Sequence, residues 1–98
     1  MFDPFLSATE QMELVRIRAV TVRELITGYL DRSEAAQDDL NAYTLIDREQ
    51  ALLRAELIDR RLFAGEAVGP LAGVAVALKD LIDQKGLPTT AGSSFYRH

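Results

Sequence analysis

The fold is decided by the stretch LAGVAVALKD, residues 71–80. Its first eight residues carry no charge and show no alternation of polar and apolar side chains. A strand with this pattern is buried on both faces, as in the middle of a mainly parallel sheet. Lys79 and Asp80 end the apolar run, and the Gly-, Pro- and Thr-rich residues 86–94 predict a loop. The stretch therefore predicts an inner strand of an α/β fold.

Three helices are predicted upstream of this strand. The sequence S-A-T-E at 7–10 has the form of a capping box, and T-V-R-E at 21–24 repeats it. Asp47, with Gln50 three residues later, opens the third helix, and Gly65 suits the position after its end. Apolar residues recur behind each start at three- and four-residue spacing and predict the core faces: Met12, Val15 and Ala19; Val22, Leu25, Ile26, Tyr29 and Leu30; Ala51, Ala55, Ile58 and Leu62.

These elements do not complete a sheet. The one other candidate strand is the short, β-branched segment at 43–46. Two strands and three helices cannot cover both faces and both edges of a buried sheet. We therefore expect the chain to be the amino-terminal piece of a larger α/β domain.

Composition and charge exclude several classes of protein. The 98 residues carry a net charge of −4, and no cluster of cations suits binding to nucleic acid or an anionic membrane. Cysteine is absent, which removes disulfides, thiolate metal sites and a cysteine nucleophile and fits a reducing cytosol. No positive charge precedes Arg16, so the basic start of a signal peptide is missing. The sequence predicts a soluble, cytoplasmic protein.

Lys79 is the residue most suited to chemistry. It follows directly after the apolar strand, and ligand sites form at this edge of open α/β sheets. A lysine desolvated there can be neutral and act as a general base. The simpler interpretation is a solvated lysine beside Asp80 and Asp83, which themselves suit capping or turn roles. The residues alone leave both interpretations open.

The wider pattern resembles a known family. G-V-x-V-A-x-K-D at 73–80 is followed by G-L-x-T-T-x-G-S at 86–93. The combination closely resembles the amino-terminal block of the amidase signature family, which includes bacterial amidases, fatty acid amide hydrolases and the A subunit of glutamyl-tRNA(Gln) amidotransferase. The S-A-T-E start, the Y-L-D-R of the second helix and the segment LNAYTLID are also similar, so the resemblance covers nearly the whole chain.

The resemblance implies an α/β amidase signature domain of which residues 1–98 are the amino-terminal part. Residues 7–64 would be the helical segment, and residues 70–94 the strand and active-site loop. The implied mechanism is that of a Ser–cis-Ser–Lys amidase, with Lys79 at the position of the catalytic lysine. No cofactor and no metal are implied. The expected partner is a small-molecule amide substrate of the full-length parent. No direct contact of this segment with nucleic acid or membrane is expected, and a homo-oligomer is compatible with the resemblance.

This sequence departs from the family pattern in two ways. Ala75 stands where the family usually has proline, which restores a backbone N–H but leaves the base in place. The segment that supplies both serines lies downstream in the family, and this chain stops before it. Ser93 corresponds to the ordinary end of the T-T-x-G-S block, and the single histidine, His98, is not needed by a Ser–Lys pair. We therefore expect the 98 residues alone to lack amidase activity.

Two alternative functions stay open. The chain can be part of a transamidating A subunit that acts with partner subunits on charged tRNA, although Leu81 stands where those subunits commonly carry asparagine. It can also be a non-catalytic helical module that docks a partner through the exposed apolar strand. Ammonia transfer that depends on partner subunits would distinguish the first alternative, and a stable fold of the isolated chain would support the second.

Overall fold

A computed structural model describes residue 3 and residues 5–43, 45–70 and 72–77 of the chain. It contains three helices, α1 (Ala8–Arg16), α2 (Val22–Leu40) and α3 (Arg48–Phe63). Helices α2 and α3 form the principal packed pair. None of the helices in the described part of the chain is both long and apolar enough to cross a membrane.

The predicted starts of α1 and α2 are confirmed. At α1 the Ser7 hydroxyl accepts a hydrogen bond from the Glu10 N–H, and the Glu10 carboxylate accepts one from the Ser7 N–H, both at 3.1 Å. This is a complete capping box. At α2 the Thr21 hydroxyl accepts from the Glu24 N–H at 3.0 Å, while the Glu24 carboxylate accepts from that hydroxyl at 3.2 Å instead of from the backbone.

The boundaries of α3 are also as predicted. The Asp47 side chain accepts from the Gln50 N–H at 3.3 Å. Ala64 caps the end of the helix, and Gly65 follows with a φ of 76°. This left-handed conformation suits glycine, and it lets the Gly65 N–H donate to the carbonyl of Leu62 at 3.1 Å. Local hydrogen-bonding patterns were therefore enough to locate the ends of this helix.

The core is small and draws on all three helices. Val15 of α1, Val20 of the α1–α2 connection, Val22 and Leu25 of α2 and Ala55 of α3 form one buried cluster. Partly buried residues pack around it: Met12, Leu14, Ile26, Ile58 and Leu62. The predicted core faces are thus confirmed in the main. Leu30 is buried outside this cluster, Tyr29 and Ala51 are only half-buried, and Ala19 is exposed because α1 ends before it, at Arg16.

Ion pairs join α2 and α3 at the surface. The Arg48 guanidinium binds Asp31 at 2.9 Å and Glu34 at 3.2 Å, and Arg23 pairs with Glu56. The hydrogen bonds from Arg48 to Asp31 and then to Glu34 raise the pKa of the guanidinium above its ordinary value. Because these groups are solvated, each pair contributes little to stability.

The two predicted strands are not seen in the described residues. Residues 43, 45 and 46 are irregular, and residues 72–77 form a turn followed by irregular backbone. The inner strand was expected to be buried on both faces, yet Val76 is 73 % exposed. A strand needs a hydrogen-bonded neighbour, and the described part of the chain offers none.

A matched pair of leucine substitutions tests this assignment of the core. Leu25 is 4 % exposed, whereas Leu53 on the outer face of α3 is 46 % exposed. We expect Leu25→Ala to lower the free energy of unfolding by about 2–5 kcal/mol, because it leaves a cavity. Leu53→Ala should cost less than about 1 kcal/mol. Urea unfolding followed by circular dichroism measures both, and equal losses would contradict the assignment.

Candidate functional site

The described part of the candidate site is the segment that leads to Lys79. It begins with a turn in which the Ala72 N–H donates to the Gly69 carbonyl at 3.0 Å. Gly73 follows with a φ of 101°. After it, Ala75, Val76 and Ala77 are exposed. The segment is thus held at its start and open to solvent towards its end.

Gly73 lies against α1 and α2. A Cβ atom at this position would lie 2.9 Å from Cγ2 of Val22, closer than real Cβ contacts allow, and 3.5 Å from Cε of Met12. Its φ also lies in the region that L side chains rarely adopt. The backbone therefore approaches the start of α2 more closely than any residue with a side chain could.

The residue that Gly73 contacts is fixed in turn by α3. Asp59 is only 9 % exposed, and its carboxylate accepts hydrogen bonds from the N–H groups of Val22 at 2.8 Å and Arg23 at 3.0 Å. These are the first two N–H groups of α2, which have no partner within the helix. Thr21 binds the third, that of Glu24. The negative charge of Asp59 also complements the positive end of the helix dipole.

The structure does not describe the candidate site residues that were predicted from the sequence, but it shows two supporting residues that were not predicted. Lys79, the predicted base, lies outside the described residues, and so do Asp80, Asp83 and Ser93. The role of Asp59 was not predicted, although a carboxylate four residues after Ala55 on the core face of α3 was a usable signal. The contact of Gly73 was not predicted either, and a glycine inside an apolar run was its signal.

The described residues support the start of the segment that leads to Lys79. Within 5–43, 45–70 and 72–77, no group of three or more His, Cys, Asp or Glu side chains could hold a metal ion. A shallow depression beside α1 is lined by Leu6, Leu14 and neighbouring polar residues, and another lies beside the first turns of α2. Neither is lined by residues of the segment that leads to Lys79.

Three glycine-to-alanine substitutions separate the causes that make Gly73 necessary. Gly69 has no positive φ, and a Cβ atom there would meet open space. Gly65 has a positive φ, and a Cβ atom there would also meet open space. Gly73 has a positive φ, and a Cβ atom there would clash with Val22. We expect Gly69→Ala to be neutral or slightly stabilising. Gly65→Ala should cost about 1–2 kcal/mol, and Gly73→Ala more than Gly65→Ala. Chemical denaturation measures the series, and a loss for Gly73→Ala no greater than that for Gly65→Ala would contradict the close approach.

Comparison with known proteins identifies the family. The family model described as Amidase matches residues 24–98. The chain is 47% identical over 88 residues to the A subunit of the glutamyl-tRNA(Gln) amidotransferase from Salinispora arenicola, covering 90% of this chain and 18% of that protein. It is 43% identical over 93 residues to the corresponding amidotransferase protein from Geobacter sp. strain M21, covering 95% of this chain and 19% of that one. The chain thus spans about a fifth of the length of these relatives.

A solved structure is similar as well. The description of that structure reads "An unexpected vestigial protein complex reveals the evolutionary origins of an s-triazine catabolic enzyme". The superposition has a TM-score of 0.89 and 33% sequence identity, and it covers 94% of this chain and 20% of that chain. The overall arrangement of the chain therefore has a counterpart among solved structures. With a family match over most of its length, the chain belongs to the amidase signature family.

Proposed function

We propose that this chain supplies the amino-terminal part of an amidase, which hydrolyses a carboxylic amide to an acid and ammonia or an amine. The observation that carries the proposal is the combination G-V-x-V-A-x-K-D at 73–80 and G-L-x-T-T-x-G-S at 86–93 within the family match. Residues 1–98 form part of a single domain, with a helical segment at 7–64 and a strand and active-site loop at 70–94. Residues 71–78 become a strand when neighbouring strands pair with them.

Lys79 is the base in this proposal. A neutral amine accepts a proton, whereas an ammonium cannot, so the lysine works when its surroundings disfavour the charged form. A serine hydroxyl attacks the amide carbon, and its proton passes through a second serine hydroxyl to Nζ of Lys79. The amine leaves with a proton, and water then releases the acid from the acyl-enzyme. Both serines come from sequence downstream of this chain, and backbone N–H groups stabilise the oxyanion.

The proposal needs no cofactor and no metal, because side chains carry every proton and bond change. The substrate is a small-molecule amide that binds to the complete enzyme. The net charge of −4 favours neither nucleic acid nor an anionic membrane as a direct partner of this segment. A cytoplasmic location fits a chain without cysteine.

A transamidating A subunit is the second candidate. The names of the relatives from Salinispora arenicola and Geobacter favour it, whereas Leu81 after the Lys-Asp pair argues mildly against it. In this version the same lysine and serines release ammonia, and partner subunits use it on charged tRNA. The two candidates differ in one measurable property, because a transamidating subunit requires its partners for ammonia transfer and a free-standing amidase does not.

Substitution of the two lysines tests the role of Lys79. A chimera in which this chain replaces the matching segment of the Salinispora arenicola protein supplies the downstream serines. We expect Lys79→Met to reduce ammonia release from an amide by at least about 100-fold, as for loss of a general base. The matched control Lys85→Met should retain activity. Full activity of the Lys79→Met chimera would contradict both candidates. Ammonia-transfer assays on the full-length parent, with and without partner subunits, separate the two candidates.

The isolated chain should be inactive. Without the downstream serines, no acyl-enzyme can form, and the purified 98-residue protein should release no burst of product from an activated amide or ester. Stopped-flow absorbance together with intact-protein mass spectrometry checks for the product and the acyl adduct. An adduct on Ser93 or Ser94 would overturn the assignment of the nucleophile to downstream sequence.

A further inference from the structure

The carboxylate of Asp59 occupies a position that packing alone does not explain. It lies on the buried face of α3, where burying a charge is unfavourable unless the charge is hydrogen-bonded. Its two oxygens accept hydrogen bonds from the N–H groups of Val22 and Arg23, which lie 37 and 36 residues earlier in the chain. Asp59 therefore determines where the first turn of α2 lies relative to α3.

Val22 connects Asp59 to Gly73, because its N–H binds the carboxylate and its side chain contacts the glycine. Its side chain has no exposed surface, so it has no room to move away from its neighbours. Its methyl groups also form the surface on which the Gly73 backbone rests, since a Cβ on Gly73 would lie 2.9 Å from Cγ2 and 3.3 Å from Cγ1. A shift of the first turn of α2 would therefore press on Gly73 or open a gap beside it.

Lys79 follows Gly73 by six residues in the sequence. The described residues between them, Val74 to Ala77, have no regular structure, and three of them are exposed. The contact of Gly73 with Val22 is thus the anchor from which this stretch of chain departs. A reacting group must be held within a fraction of an ångström of its productive position, so the placement of such an anchor matters for the rate.

We propose that Asp59 is a positioning residue for the predicted base: through the backbone and side chain of Val22, it fixes Gly73 and with it the start of the segment that carries Lys79. This inference rests on the proposed function for its effect on catalysis. Its structural part, the dependence of the Val22–Gly73 contact on Asp59, stands without that function. The two parts can therefore be tested separately.

The catalytic part is tested in the chimera described above. Asp59→Asn removes the charge and leaves one oxygen where there were two acceptors for the two N–H groups. We expect kcat to fall by at least about tenfold, with KM changed by less than about twofold, since the substrate pocket is untouched while the base is displaced. Asp38→Asn makes the same chemical change at an exposed site of α2 and should leave both constants unchanged.

A second control separates positioning from a general loss of stability. Leu30 is buried on α2 but lies outside the cluster that contains Val22, so Leu30→Val weakens the packing without touching the contact. Rates are expressed per folded molecule. If Asp59→Asn and Leu30→Val lower kcat equally, or if Asp59→Asn leaves kcat unchanged while Lys79→Met abolishes activity, the inference is wrong. If Lys79→Met retains activity, the proposed function is wrong instead.

The structural part is tested by nuclear magnetic resonance on the full 98-residue chain. The α protons of Gly73 should show nuclear Overhauser effects to the Val22 methyl groups. These effects should weaken or vanish in Asp59→Asn and persist in Leu30→Val; persistence in both would overturn the inference. If Asp59→Asn does not fold, Val22→Ala replaces it, because it removes the methyl surface but keeps the N–H that Asp59 binds. An unchanged kcat of the Val22→Ala chimera would then contradict the inference.

Discussion

The Asp59 carboxylate accepts hydrogen bonds from the first two N–H groups of α2, and the arrangement of the described residues depends on this interaction. It joins the last third of α3 to the start of α2 and compensates two donors that the helix itself leaves unpaired. Hydrogen bonds to a charged acceptor in a buried site are among the stronger ones in proteins, at about 1.5–3 kcal/mol. The ion pairs at the surface of the same two helices, such as that of Arg48 with Asp31, are solvated and weaker. The buried carboxylate therefore contributes more to the placement of α2 against α3 than each surface pair does.

The described part of the chain exposes several large apolar side chains. They lie on α2, on α3 and in the segments outside the helices: Phe5, Ile17, Leu40, Leu45, Leu53, Leu57, Phe63 and Val76. The relatives are about five times as long as this chain, and their additional length offers surfaces against which such residues can pack. The same reasoning explains why residues 72–77 do not form a strand in the described part of the chain. A strand buried on both faces needs two neighbouring strands and two covering layers, and these do not occur among the described residues.

The sequence was sufficient to predict features that depend on local chemistry. The start of each helix follows from a capping residue and the residue three positions later, and Gly65 marks the end of α3, because all these hydrogen bonds join near neighbours.

The pairing of Asp59 with Val22 joins residues 37 apart, and no periodicity encodes such a partner. The close approach of Gly73 was missed for the same reason, since a glycine in an apolar run indicates proximity but not to what. The strand was predicted from its own composition, whereas its formation depends on partners. Of the candidate site, the residue type of Lys79 and its family motif could be predicted from the sequence, and the contact of Gly73 with Val22 could not.

The chain belongs to the amidase signature family, and the contact of Gly73 with Val22 supports the segment before Lys79. Together these two findings describe how the segment that leads to the predicted base is held. The helices α1, α2 and α3 form a platform whose geometry is fixed by Asp59, and the segment that leads to the predicted base rests on it at Gly73. The most direct test of this account is the detection of scalar couplings across hydrogen bonds between the carboxylate carbon of Asp59 and the amide nitrogens of Val22 and Arg23. The account predicts a correlation to both nitrogens. Absence of both correlations, together with amide chemical shifts of Val22 and Arg23 that do not change in Asp59→Asn, would contradict it.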